Sequence, residues 1–324
     1  MGRLSVVSPF LRNKLNVRKF RKEDVIALRT ECGAQFGMVT PSITAVLSQF
    51  SQFFNVKPEE IIMKGFTYNE RTKNMATFAN DIYSNWTEIA SKAGMGQTPD
   101  LGWRNELYTV YPINENPLKH SQKLFQMERA LCKFLGIETY GVHVNCYSII
   151  NGEIYIWIGK RSPTKSTFPN KIDQCVAGIP QISVYDIGCR FLGGVTAGLG
   201  LNEVLIKEAE EEASIPAEIA KNAKLTNFVQ YCYHKTHHLK RECNFIYDLE
   251  LPQDFIPKTN DGETTDFQLI KLGKHCSLFD NPEDWKPNCY AITLDFAIRM
   301  GQIESSELTD LFEWFYLIRN KDLF

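Results

Sequence analysis

Glu208, Glu211 and Glu212 stand at i, i+3 and i+4 within residues 201–215 (LNEVLIKEAEEEASI). On a helix that spacing puts all three carboxylates on one face. Like charges so placed repel, and the repulsion is relieved when a divalent cation sits between them. Hard carboxylate oxygens suit Mg²⁺ or Mn²⁺, ions that also take phosphate oxygens. Such an ion neutralises charge on a diphosphate and activates water, so the chemistry indicated is diphosphate hydrolysis. The blander alternative is a solvated acidic helix face. The flank decides between them, because Gly193, Gly194, Gly198 and Gly200 run straight into the segment. Glycine lets backbone approach a ligand closely, and a helix N-terminus favours anions.

Positioning these residues requires a scaffold that the hydrophobic pattern outlines. Helical spacing is expected over 22–31 and over 41–54, where Ile43, Val46, Leu47, Phe50 and Phe53 recur behind Pro41 and Ser42. Residues 73–94 suit a polar helix, 106–111 alternate as a strand, and 119–135 read as an amphipathic helix ended by Gly136. From 140 the pattern turns to β. Residues 140–150 and 153–158 flank Asn151-Gly152, a strong hairpin signal. Further strands are expected at 182–186, 226–233, 243–250 and 266–271, with helices at 201–213, 291–299 and 304–318. The chain therefore reads as mixed α/β (α+β). It divides into a basic segment 1–22, an N-terminal α/β domain 23–138 and a second domain 139–324.

Composition narrows the partners. The chain has 324 residues, 44% of them hydrophobic and 23% charged, with a net charge of -2. That supports a real core and gives no field to recruit nucleic acid. Nine scattered cysteines without a Cys-x-x-Cys pair read as reduced thiols. No apolar run is long enough for a bilayer, so no membrane partner is expected. Arg3, Arg12, Lys14, Arg18, Lys19, Arg21 and Lys22 crowd the first 22 residues without an acid. A frayed basic terminus of a cytoplasmic protein is the favoured reading, and a mitochondrial or plastid transit peptide the alternative.

The acidic segment resembles the Nudix signature: Gly, five residues, Glu, seven residues, then Arg-Glu-apolar-any-Glu-Glu-any-Gly-apolar. The pattern falls on Gly193, Leu199, Lys207, Glu208, Ala209, Glu211, Glu212, Ser214 and Ile215. The three metal-binding glutamates match. Lys207 replaces the Arg, Ser214 the second Gly and Leu199 the first Glu; Glu203, four residues before Lys207, is the nearest substitute acid. Other stretches resemble the Nudix subgroup related to fungal thiamine pyrophosphokinase fusions. They include Phe36-Gly37, Glu70-Arg71-Thr72, Trp103-Arg104-Asn105-Glu106 with Tyr108, Glu128-Arg129, and Tyr140-Gly141-Val142-His143. They continue through Trp157-Ile158, Arg161-Ser162-Pro163-Thr164-Lys165, Lys171, Asp173 and Val176-Ala177-Gly178 to Asp261-Gly262-Glu263, Lys286-Pro287-Asn288 and Asp295-Phe296. In this subgroup Lys207 and Ser214 look normal.

The resemblance implies a Nudix α/β/α sandwich with a mixed sheet, preceded by a smaller α/β domain. It implies Mg²⁺-dependent (or Mn²⁺-dependent) cleavage of a small-molecule diphosphate to monophosphate plus phosphate. The implied substrates are thiamine diphosphate and its damaged oxo and oxy analogues, a metabolite-repair role. Glu208, Glu211 and Glu212 would be the metal ligands, and one of them or Glu263 the general base. Arg161, Lys165 and Lys171 are candidate phosphate partners, Arg for its planar fork, with Gly193 and Gly194 in the phosphate loop. Trp157 is a candidate to stack on the substrate ring, although a Trp in a strand is more often core. His143 reads as a satisfied core histidine. His234, His237 and His238 lack a fourth ligand at zinc spacing and fit a hairpin tip.

One feature departs from the pattern. The family runs from Val-Ala-Gly-Gly directly into its loop, whereas here residues 179–193 intervene after Val176-Ala177-Gly178. They read either as a surface hairpin, tolerable because loop closure costs rise slowly with length, or as a translated intron. Two other functions compete with the leading one: a Nudix hydrolase of another nucleoside diphosphate derivative such as ADP-ribose or NADH, and a Nudix-fold binding module with impaired catalysis. A homodimer is compatible with either.

Overall fold

The structure is a computed structural model that describes residues 24–113, 123–165, 167–178, 201–235, 237–260, 262–273 and 276–303. The basic segment 1–22, the segment 179–193 with its expected strand, Gly193, Gly194, Leu199 and the helix expected at 304–318 lie outside the described residues.

Ile26, Leu28 and Thr30 alternate with Ala27 and Arg29, and Leu28 and Thr30 are buried. The chain is extended here as β1 (Ile26–Thr30), not helical as expected. Five residues are too few for periodicity to separate the two, and pairing decides it. β1 runs antiparallel to β2 (Gln35–Val39), and parallel to a later strand, Leu28 opposite Ile61. Helix α1 (Pro41–Leu47) starts at Pro41 but is shorter than its apolar spacing suggests. After a turn the chain enters β3 (Phe54–Val56), which pairs with β4 (Glu60–Met63). The sheet order is β2-β1-β4-β3.

Helix α2 (Tyr68–Lys92) opens on a Thr67–Glu70 capping box and buries Met75, Phe78, Ile82 and Trp86. β5 (Leu107–Val110) is the expected strand. Its partner β6 (Phe125–Glu128) replaces most of the helix expected at 119–135. Phe125 and Met127 alternate into the core, and one 3₁₀ turn (Arg129–Leu131) then carries Leu131 inward. A strand plus a turn thus buries the same residues that mimic a helical stripe. The chain then presses on β2: a Cβ at Gly136, whose φ is +56°, would lie 2.0 Å from the Met38 carbonyl oxygen. One apolar cluster, from Leu28 to Ile137, fills this half.

The second half is built on β7 (Glu138–Ile150) and β8 (Glu153–Arg161). Their turn is the expected Asn151-Gly152, with φ of 53° and 79°. Then follow β9 (Ile172–Gln174), β10 (Val176–Gly178), α3 (Leu201–Ala213), α4 (Ala217–Ala220), β11 (Lys224–Lys235), β12 (His238–Glu250), β13 (Thr264–Lys271) and α5 (Pro287–Arg299). A seven-stranded sheet has the path β11-β12-β7-β8-β13, with β12 and β7 parallel and the other pairs antiparallel. β7 and β8 pair only near their turn and then part. β10 fills in beside Val142–Val144 of β7, and β9 beside Ile158–Lys160 of β8. α3 covers one face of the sheet over Val142, Val144 and Trp157; α5 covers the other over Ile156, Ile158 and Ile246. This is the expected α/β/α sandwich on a mixed sheet.

The β11–β12 tip, where His234, His237 and His238 sit, meets the N-terminal half. Thr40 Oγ1 donates to the His237 carbonyl oxygen at 3.0 Å, and Leu239 N–H to that of Lys133 at 3.0 Å. Among the described residues no helix is long and apolar enough to cross a membrane.

Candidate active site

α3 forms because Leu, Glu, Lys and Ala are good helix formers and because Val204, Leu205, Ala209 and Ala213 make a stripe that the sheet buries. The helix stops at Ser214, whose φ is +52°. The Ser214 N–H bonds to the Glu210 carbonyl at 3.1 Å and the Ile215 N–H to the Ala209 carbonyl at 3.0 Å, a left-handed helix end that usually carries Gly. Ser214 adopts the left-handed backbone itself, and its hydroxyl donates to the Lys258 carbonyl at 3.1 Å.

The glutamates share the helix face left by that packing, but their side chains have different surroundings. Glu211 is exposed and pairs with Lys207 at 2.8 Å, a contact that raises the Lys207 pKa. Glu212 is half-buried and accepts the Ala177 N–H of β10 at 2.7 Å. Burial pushes the Glu212 carboxyl well up; Ala177 and Lys286 oppose this, and Glu208 and Asp173 add to it. Among the described residues no three His, Cys, Asp or Glu side chains converge on one point as a ready metal site. The donor set nevertheless fits a hard divalent cation. It is all carboxylate oxygen, and a sunken carboxylate with two anionic neighbours is the strain such an ion relieves.

The basic residues of 161–171 are placed differently from expectation. Arg161 is buried: its guanidinium pairs with Asp173 at 2.5 Å and donates to the Thr167 and Phe168 carbonyls. Lys171 Nζ donates to the Glu283 carbonyl at 2.5 Å. Lys165 forms an ion pair with Glu263, so two candidate site residues meet each other. Trp157 lies in the core beneath α3, 7% exposed, and offers no ring face to a substrate. These placements revise the phosphate and stacking expectations for Arg161, Lys171 and Trp157. In each case the protein already occupies the group.

A buried polar group that the sequence reading left without a role lies where β9 meets the start of α5. Asp173 binds Arg161 on one side and Lys286 at 3.1 Å on the other, and the Cys289 thiol donates to it at 2.7 Å. Burial works against the Asp173 charge, but Lys286 and Arg161 outweigh it and hold the carboxyl well below its usual range. Beside it His143 Nδ1 lies 2.5 Å from Gln174 Oε1, and His143 Nε2 lies 3.3 Å from Asn288 Nδ2. Burial above all lowers the His143 pKa to about 4, so the ring is neutral at pH 7. His143 is the satisfied core histidine expected.

Known proteins share this chain's pattern. "Nudix hydrolase 20, chloroplastic" of Arabidopsis thaliana is 39% identical over 223 residues, 68% of this chain and 54% of its own length. "Nudix hydrolase 24, chloroplastic" of the same plant is 37% identical over 223 residues, 68% of this chain and 55% of its own. The chain belongs to the Nudix hydrolase family. It spans about half the length of these two plant relatives. An uncharacterized protein of Saccharomyces cerevisiae is 29% identical over 309 residues, 89% of this chain and 81% of its own. Residues 10–139 match a family model described as a domain of unknown function (DUF4743).

The sequence reading lays Glu208, Glu211 and Glu212 on the glutamates of the Nudix signature, and Ser214, at its second Gly, has a positive φ of 52°. Sequence reasoning missed the Ala177 N–H, Asp173 and Lys286 as neighbours of Glu212. Both side chains stood in matched stretches, but nothing local linked them, since they are 113 positions apart.

Proposed function

We propose that this chain is a Mg²⁺- or Mn²⁺-dependent diphosphatase that cleaves thiamine diphosphate, or its damaged oxo and oxy analogues, to monophosphate plus phosphate. The observation that carries the reading is the carboxylate face of α3, with Glu212 seated on the Ala177 N–H. Glu208, Glu211 and Glu212 would hold the cation. Once bound, it would offset charge on the diphosphate and lower the pKa of a bound water. The chain's own groups then have separable tasks. Ala177 N–H fixes one Glu212 oxygen and leaves the other available. Lys207 holds Glu211 in place through an exposed contact that is easily exchanged. Lys286 and Asp173, behind Glu212, set the charge of the floor. Glu263 remains a candidate base, oriented by Lys165. The metabolite-repair role and the subgroup rest on the ordered sequence matches around this site.

Phosphate release from thiamine diphosphate, oxothiamine diphosphate, ADP-ribose and NADH with Mg²⁺ tests the proposal. The wild type should act on the thiamine compounds, and Glu211→Gln should lose at least about a hundredfold in rate, the scale of one essential electrostatic group. No release by the wild type, or full activity in Glu211→Gln, ends the hydrolase reading and favours a binding module. Preference for ADP-ribose or NADH overturns only the substrate.

A further inference from the structure

Trp157 is closed to a substrate ring, but Tyr140, Phe245 and Phe228 lie on the same face of the sheet, the face that α3 covers. Alternation along β7 puts Tyr140 on the side of Val142 and Val144. Along β12 it puts Phe245 on the side of Tyr247, whose hydroxyl donates to Asn202 Oδ1 of α3 at 3.4 Å. Phe228 of β11 stands opposite Phe245, and cross-strand partners share a face. The Tyr140 and Phe245 rings stack, with 6.3 Å between centres and 26° between planes. Both are half-buried, Tyr140 against the apolar cluster of the N-terminal half and Phe245 against the one under α3. Phe228 is 45% exposed.

A single exposed Phe is ordinary; the place and the border of this strip are not. The register runs from Gly178 of β10 through Val142 of β7 and Phe245 of β12 to Phe228 of β11. Ala177, whose N–H seats Glu212, adjoins Gly178. Two strand spacings, about 10 Å, thus separate the strand that holds this glutamate from Phe245. That is the scale of the two-carbon arm and diphosphate between the ring of thiamine diphosphate and its terminal phosphate. Glu138 borders the strip, accepting from the Tyr140 hydroxyl at 3.0 Å and from the Gln230 amide. Its pair with the buried Arg241 is long, at 3.8 Å, and a carboxylate has about four acceptor sites. Aromatic faces beside a carboxylate favour a ring that is cationic or carries N–H donors. Such a border repels phosphate, which the cation on α3 would take instead.

We propose that Tyr140, Phe245 and Phe228 form the ring subsite of the enzyme: the substrate's heteroaromatic ring stacks on them while its diphosphate lies at the α3 glutamates. The N-terminal half props this subsite, since Tyr140 packs on its core and the Tyr108 hydroxyl donates to the Glu138 carbonyl at 3.1 Å. The assignment deepens the diphosphatase reading above and rests on it.

The test is calorimetric binding, with Mg²⁺, of two probes to the full chain: a non-hydrolysable methylene-bridged analogue of thiamine diphosphate, and methylenediphosphate, which has no ring. Phe228→Ala and Phe245→Leu should each bind the ring-bearing probe at least about fivefold more weakly, the lower end of ring stacking on an aromatic side chain. Both should bind methylenediphosphate as the wild type does, and Phe228→Trp should keep the affinity for both probes. Phe228→Ala, a surface change, should melt with the wild type. Unchanged affinity for the ring-bearing probe overturns the assignment, as does an equal loss for both probes or no binding of the ring-bearing probe by the wild type. A wild-type dimer that Phe228→Ala dissociates in sedimentation also overturns it, because the strip is then a contact between copies. The two readings fail separately. Hydrolysis with strip-independent binding removes only this inference, whereas strip-dependent binding without phosphate release removes only the hydrolase reading.

Discussion

Two groups of charges lie on opposite sides of one sheet and are treated in opposite ways. On α3, Glu208, Glu211 and Glu212 crowd one face, and the Lys207–Glu211 contact has both side chains about half exposed, at 54% and 51%. Such a pair contributes roughly 0–1 kcal/mol. At the start of α5, Asp173 holds Arg161 and Lys286 with side-chain exposures of 6%, 10% and 18%. There two cations share one carboxylate with little water. The first group is exposed and in excess of one sign, an open group; the second is shut away from water, a closed one, although Lys286 also acts on Glu212. Exposure, more than charge type, separates the two.

The largest test of this contrast is Asp173→Asn. It leaves Arg161 and Lys286 as buried cations without their counter-charge, which should cost about 3–5 kcal/mol in chemical denaturation. Glu211→Gln should cost less than about 0.5 kcal/mol, as surface changes do, while lowering turnover at least about a hundredfold. If the two variants prove equally stable, the division between a closed and an open group is wrong.

A smaller effect, on the buried side only, comes from acid. His143 titrates near pH 4 in the fold, against about 6.5 in an unfolded chain. Between those values the unfolded chain binds the extra proton, so stability falls as pH drops from 6.5 to 4 and then levels off for this group. The shift corresponds to about 3 kcal/mol. Asp173 adds its own loss below about pH 4, the unfolded carboxyl value, because its folded pKa is depressed. His143→Gln should remove the first window and keep the second. Denaturation midpoints across pH 4–7 measure it, and an unchanged slope in the variant would refute the burial argument.

The same contrast explains what was legible beforehand. The α3 glutamates were readable because a helix face is a local pattern, and Asn151-Gly152 because a two-residue turn demands positive φ from those residues. β1 and β6 were misread because each is short and borrows its extended shape from a distant partner, Ile61 for Leu28 and Val110 for Phe125. Arg161 was aimed at phosphate, whereas the structure turns its guanidinium to Asp173. Its residue type shows the charge, while Asp173, its partner, looks in sequence like any loop acid. Glu128 failed the other way: it stood in a matched stretch without a role, and only the structure shows it accepting the Arg104, Glu106 and Ala130 N–H groups.

The smallest effect lies at the end of α3, where open-site geometry meets fold stability. Ser214 holds φ +52°, a region costing a non-glycine residue roughly 1–2 kcal/mol. Its hydroxyl bond to the Lys258 carbonyl returns about 0.5–1.5 kcal/mol. Ser214→Gly removes both, so the net change should be a stabilisation below about 1 kcal/mol. Turnover should stay unchanged, because the Ile215-to-Ala209 bond that closes the helix involves only backbone. A clear loss of stability would mean that the Lys258 contact, and the loop after β12 that it ties down, matters more to α3 than the backbone strain does. A loss of turnover without a loss of stability would place that loop at the site itself.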